Sequence, residues 1–287
     1  MGIEILQAGM FSTIQDSGRL GLAHLGVPIS GWLDQPSAQL ANWMVGNQNT
    51  SAVIEVTWTG LEFNCDVTCS MAIAGAEFLC YLNGQIVGTD QVIQLKAGDH
   101  FKMGRLLIGV RAYLAFAGSF QLPTVKGSLS TLVVARLGGY FGRALQAADY
   151  LPLSAPHQVA GYTKPQWKKL KDQSIQVIRA MPGPEISVFQ PAALQRALGQ
   201  PYQLTGACDR QGFRLNSEPI ETPLGFTFNS SGLVPGSLQV TPDGQTILAM
   251  KDAQTTGGYP RILVVNQDQL HHLAQVRPDQ KIYFFMN

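Results

Sequence analysis

Hydrophobic and polar positions alternate in short runs along most of the chain, a pattern that predicts strands. Ile3–Leu6 is the first short apolar candidate. From Ala52 to Val110 the strand pattern is nearly continuous. AVIEVTWTGLEF and VTCSMAIAG are rich in β-branched and aromatic residues, YLNGQIV sets Asn83-Gly84 between apolar flanks, and LKAGDHFKM turns at Gly98-Asp99. Asn-Gly is a strong hairpin signal because both residues tolerate the positive φ of a tight turn. LIGVRAYLAFAG adds a further strand. After a Gly- and hydroxyl-rich stretch from Gly118 to Leu153, read as loops with Tyr140, Phe141 and Arg143 as walls of a cleft, IQVIRAMPGPEISVF resumes the alternation. Asp243-Gly244 marks a second hairpin, and DQKIYFFM closes the chain as a strand.

Helical signals are fewer. Asp34 is a good N-cap, Pro36 sits in the first turn, and Gly46 can end the helix in a left-handed conformation. Ala38, Ala41 and Val45 mark its apolar face. PAALQRAL predicts a helix ending at Gly199, and NQDQLHHLAQV another. Many short strands with a few short helices give a mainly β, barrel-like, two-lobed fold. The lysines of HQVAGYTKPQWKKLKD (Lys164, Lys168, Lys169 and Lys171) read as a solvated linker. The expected division is an N-terminal lobe over 1–160, a linker over 161–174 and a C-terminal lobe over 175–287.

Composition narrows the function classes. The chain has 287 residues, a formal net charge of +1, 14% charged and 45% apolar residues. That balance argues against disorder and against nucleic-acid binding. No apolar run approaches membrane length, and MGIEILQAG does not read as a secretory signal, so a cytoplasmic protein is expected. Cys65, Cys69, Cys80 and Cys208 match no zinc or redox spacing and read as buried free thiols. His271 and His272 do not share a helix face, which makes them a poor metal pair.

Chemistry concentrates in loop-like stretches. In STIQDSGRLGLAHLGVPISGWLD, Gln15, Asp16 and Arg19 bring an amide, a carboxylate and a guanidinium close together. Gly18, Gly21, Gly26 and Gly31 supply sharp turns there. Such a loop fits a binding site or an ordered surface loop. Glu55, inside an apolar strand, faces solvent, joins an ion pair or points into a site. Asp209, Arg210 and Arg214 surround Gly212. In QTTGGYPR two hydroxyls precede Gly257-Gly258, which forms either an anion-binding nest or a tight turn, with Arg261 beside it. If the three charged clusters converge, they suit a small, polar, anionic substrate: arginine grips a carboxylate through two parallel hydrogen bonds, and a carboxylate activates water.

TIQDSGRLGLAHLGVPISGWLD, continued by SAQLANWMVGNQNTSAVIEVT, resembles the opening of the allophanate-hydrolase-subunit-2 family. AYLAFAG, KGSLST, GGYFGRALQAAD, MPGPEISVF, DRQGFRL, PGSLQVTPDGQ and DAQTTGGYPRI follow in the family's order, so the resemblance spans nearly the whole chain. It implies a cyclophilin-like β-barrel and a direct complex with a subunit-B homologue, completed by a subunit-A homologue. The activity it implies is a 5-oxoprolinase, opening 5-oxo-L-proline to L-glutamate with ATP consumed at the level of the complex. The same family implies two alternatives: a carboxyltransferase subunit of a biotin-dependent urea or amide carboxylase, or a non-enzymatic regulatory subunit binding a kinase inhibitor. Carboxybiotin enters only under the first of these, on another polypeptide, because no Met-Lys-Met motif is present.

With the resemblance, the candidate catalytic residues are Asp16, Arg19, Arg210, Arg214 and Asp252. The candidate substrate-binding residues are Gln15, Glu55, Thr255, Thr256, Gly257, Gly258 and Tyr259, and no metal ligands are expected. The chain departs from the family pattern at Leu129 and Ala253, where arginines are usual, at Ser231, where an acid is usual, and at Gln211 and Thr241. These changes imply an altered substrate, weakened catalysis or a regulatory role.

Overall fold

The computed structural model describes residues 1–89, 91–160, 170, 172–222 and 229–286. Lys164, Lys168, Lys169 and Lys171, with Trp167, lie outside the described residues. The chain divides into two compact units, one of Met1–Arg19 with Ser30–Asp172, the other of Leu20–Ile29 with Gln173–Asn287. Both are built on curled, largely antiparallel sheets, and the fold is mainly β.

In the first unit, two long strands, Cys69–Leu82 and His100–Phe116, pair over most of their length. His100–Phe116 also pairs with Val53–Thr57 and Glu62–Cys65. The sheet continues through Gly2–Gln7 and Tyr150–Ser154 to Ser119–Phe120. Alternate residues point inward and bury Ile3, Ile5, Phe63, Phe101 and Phe116 in one core. The Asn83-Gly84 hairpin forms, with both residues at positive φ. The first helix, Gln35–Met44, is capped as its sequence specifies: the Asp34 carboxylate accepts from the Ser37 N–H at 3.1 Å and from its hydroxyl at 2.7 Å. Its apolar face packs Ala38, Ala41 and Val45 against Trp32, Val53 and Tyr113.

One expectation changes here. Ser12–Gln15 is not loop: Phe11–Gln15 is a strand paired with Val53–Thr57. Its polar residues Ser12, Thr13 and Gln15 are buried with Ile14, so no solvent-facing alternation marked it.

The second unit's sheet runs in the order Gln203–Cys208, Gly212–Asn216, Thr246–Ala249, Ser237–Val240, Arg261–Val265, Ile175–Pro182 and Lys281–Met286. The last two strands are parallel. Phe213, Leu215, Leu238, Leu248, Leu263 and Phe284 are buried in this unit. The helix Pro191–Gly199 forms as expected. NQDQLHHLAQV makes only a 3-10 turn and one α-turn, Leu270–Leu273, rather than a continuous helix. Among the described residues no helix is long and apolar enough to cross a membrane.

Candidate functional site

The sequence candidates fall into two local arrangements, one in each unit. In the first, Asp16 is the centre of a hydrogen-bonded hub. One carboxylate oxygen accepts from the Gly18 N–H at 2.8 Å, the Ser128 hydroxyl at 2.6 Å and the Ser130 hydroxyl at 2.5 Å. The other accepts from the Leu129 N–H at 2.5 Å. Arg19 donates to the Ser130 carbonyl, and the Gln15 amide donates to Thr13 Oγ1 at 3.0 Å and the Thr131 carbonyl at 3.1 Å. Motifs more than a hundred residues apart are thereby tied together. Gly138 is required beside them: at φ 66° a side chain there is strained and would press on the Ser130 carbonyl and the Arg19 guanidinium.

Glu55 is fully buried beside this hub. It accepts from the Leu33 N–H at 3.1 Å and lies 4.0 Å from the Arg111 guanidinium. Its environment is that of a partnered interior acid rather than a solvent-facing one. Burial, with the charges of Glu55 and Asp34 adding to it, pushes the Tyr113 phenol well up, so it stays neutral and accepts from the Asp34 N–H at 2.7 Å. Of the expected cleft walls, Tyr140 and Phe141 line a cleft of about 300 Å³ in this unit. Arg143 instead clasps Asp149 through two 2.7 Å hydrogen bonds.

In the second unit, the arginines of the two charged clusters have different fates. Arg210 holds Asp252 with bonds of 2.8 and 3.1 Å, both residues buried. Arg261 holds Glu185, with one bond at 2.7 Å, and also donates to the Ser231 hydroxyl at 2.8 Å. Burial raises the Glu185 carboxyl, but the hydrogen bonds and charge of Arg261 outweigh it and hold the carboxyl below its usual range. Arg214 is exposed, and no salt bridge engages it among the described residues.

Arg214 and Tyr259 line a cleft of about 470 Å³ together with Cys208, Gln239, Ile247 and Ala253. Burial pushes the Cys208 thiol up. Unlike Cys65, Cys69 and Cys80, which are buried as expected, Cys208 is partly exposed.

Of the two readings of Gly257-Gly258, the nest is not built. A nest needs a left-handed residue in the pair, and neither glycine has a positive φ. Thr256–Gly257 instead pairs with Ser231–Gly232, and the Thr255 carbonyl accepts from the Leu233 N–H at 2.8 Å. A Cβ at Gly257 would lie 2.7 Å from Gln239 Nε2, so the small residue leaves room for that side chain. Sequence reasoning missed Glu185 and Gln239. The signal for Gln239 is a lone amide inside SLQV, between two fully buried apolar neighbours.

Both units are built on β sheets with paired interior charges, and in the second unit Arg214 lines a cleft without a salt bridge among the described residues. The chain belongs to the family of carboxyltransferase domains, subdomains A and B, whose model matches residues 25–286. It is 35% identical over 286 residues to the C subunit of the Escherichia coli 5-oxoprolinase, covering 98% of this chain and 90% of that protein. Its counterpart of the same name from Haemophilus influenzae is 34% identical with the same coverage. Among solved structures, the Kluyveromyces lactis urea amidolyase matches 99% of this chain with a TM-score of 0.91 and 27% identity. This chain spans only 18% of that much longer protein. The resemblance read from the motifs and the β fold are both borne out.

Proposed function

We propose that the chain is the C subunit of an ATP-dependent 5-oxoprolinase, acting in the cytoplasm in complex with subunit-A and subunit-B homologues. The near full-length match to two proteins of that name carries this reading. The reaction adds water at the lactam carbonyl carbon, breaks the bond from that carbon to nitrogen, and leaves a carboxylate and an amine. A lactam carbonyl is a weak electrophile, and coupling to ATP by phosphorylation of the amide oxygen would correct this. The open arginine of the cleft suits the substrate carboxylate. Asp16, Arg19, Arg210 and Asp252, each engaged by protein partners, are read as positioning groups.

The test is ATP hydrolysis with and without 5-oxoproline, for the chain alone, with its subunit-B partner, and with both partners. Stimulation by 5-oxoproline only in the full assembly is the expected result, and none in any combination removes the reading. A second reading, transfer of a carboxyl group to urea or another amide, is favoured by the urea amidolyase likeness. It expects urea-dependent ATP hydrolysis with a biotin carboxylase partner instead.

A further inference from the structure

We propose that the second unit's cleft is a seat for a small carboxylate carrying an amide carbonyl, and that Gln239 is the residue that recognises that carbonyl. For its ligand the proposal rests on the 5-oxoprolinase reading.

Strand register makes the seat. Arg214 pairs with Ile247, and Ile247 pairs with Gln239, so the three form one row across adjacent strands. Directly paired residues share a face of the sheet. Strands lie about 4.8 Å apart, which puts the Cα atoms of Arg214 and Gln239 roughly 10 Å apart. All three residues line the cleft. The row therefore offers a cation at one end, an apolar floor, and a carboxamide at the other end.

The two polar ends lack protein partners of the kind that neighbouring side chains have. Arg210 and Arg261 are clasped by Asp252 and Glu185, whereas no salt bridge engages Arg214 among the described residues. Gln239 is only 4% exposed, and its Nε2 has no hydrogen-bond partner among the described residues. A buried amide N–H without an acceptor is costly and calls for one. The terminal torsion of glutamine is broad and roughly two-fold, so the carboxamide can turn its donor towards a ligand.

5-Oxoproline matches this row. Its carboxylate and its carbonyl flank the ring nitrogen on opposite sides, and its two methylenes form an apolar edge. With the ring over Ile247, the carboxylate meets Arg214 and the carbonyl oxygen meets the Gln239 amide. As water adds, negative charge grows on that oxygen, and the amide N–H bonded to it holds it more strongly in the transition state. Gln239 thus acts in binding and in catalysis, and its loss lowers kcat more than it raises KM.

Cys208 lines the same cleft, whereas Cys65, Cys69 and Cys80 are buried. The experiment follows its alkylation by iodoacetamide with peptide mass spectrometry, in the full chain alone and in the assembled complex. 5-Oxo-L-proline is expected to protect Cys208. L-Proline, which lacks the carbonyl, and 2-pyrrolidinone, which lacks the carboxylate, should each require at least about tenfold more ligand. Arg214→Ala should abolish protection. Gln239→Met, close in shape, should raise the half-protecting concentration about tenfold and erase the preference over L-proline. Gln239→Glu checks that loss of the donor, not of volume, is responsible. Equal protection of wild type and both Gln239 variants overturns the proposal, as does no protection by any probe. In either case, turnover of 5-oxoproline by the assembled complex leaves the 5-oxoprolinase reading standing. The expected protection pattern without turnover supports the seat and removes that reading.

Discussion

Asp16 and Gln239 are both buried polar side chains, one in each unit, and they differ in what meets them. Four donors converge on the Asp16 carboxylate, two of them backbone N–H groups. The Gln239 Nε2 meets no acceptor among the described residues. A carboxylate engaged in this way is held still and adds to stability, with little capacity left for chemistry. An amide left short of a partner costs stability and gains it back when a ligand arrives. The contrast separates residues that build the fold from residues available to a substrate, although all of them look alike as polar letters in loop-like sequence.

Asp16→Ala is expected to have the largest effect. It leaves the Ser128 and Ser130 hydroxyls and two backbone N–H groups without their acceptor. Chemical denaturation should show a loss of about 2–4 kcal/mol, the cost of stranding buried donors. A loss below about 1 kcal/mol would remove the hub from the account of stability.

A second test uses the Arg261–Glu185 pair. Glu185→Gln should cost about 2–3 kcal/mol at neutral pH, because a buried guanidinium loses its counter-charge. The folded Glu185 carboxyl sits below its usual range. Its contribution is therefore complete above the unfolded value of about 4.3 and is lost as pH falls through the folded value. Stability curves for wild type and Glu185→Gln should converge only once pH has fallen below the folded Glu185 value, itself under the unfolded one. Curves that stay parallel would assign the effect to packing.

The smallest effect is expected at Gly257→Ala. The new methyl would crowd Gln239 Nε2, the end of a movable side chain. Unfolding free energy should fall by under about 1 kcal/mol, while 5-oxoproline-stimulated turnover in the complex drops about tenfold. Unchanged turnover would detach Gly257 from the cleft's function.

Much of the fold was legible because its signals are local. The Asp34 cap, the Asn83-Gly84 hairpin and the Asp243-Gly244 turn each depend on residues within a few positions. The strand at Phe11–Gln15 was not legible, since both its faces are covered by distant chain and its buried polar residues resemble loop. Glu185 was missed for the same reason: it is 76 residues from Arg261, and only the folded sheet brings them together. At QTTGGYPR, Gly-Gly permits either a nest or a tight turn, and nothing local decides between them. Pairing with Ser231–Gly232 selected the extended form instead.

The hub's use of the main chain has a consequence for how this sequence can drift. Position 129 serves Asp16 through its N–H, while its side chain packs against the apolar core. Every residue except proline carries that N–H. An arginine exchanged for leucine at 129 therefore leaves the hub's wiring intact, and selection at that position acts only on what the side chain itself touches.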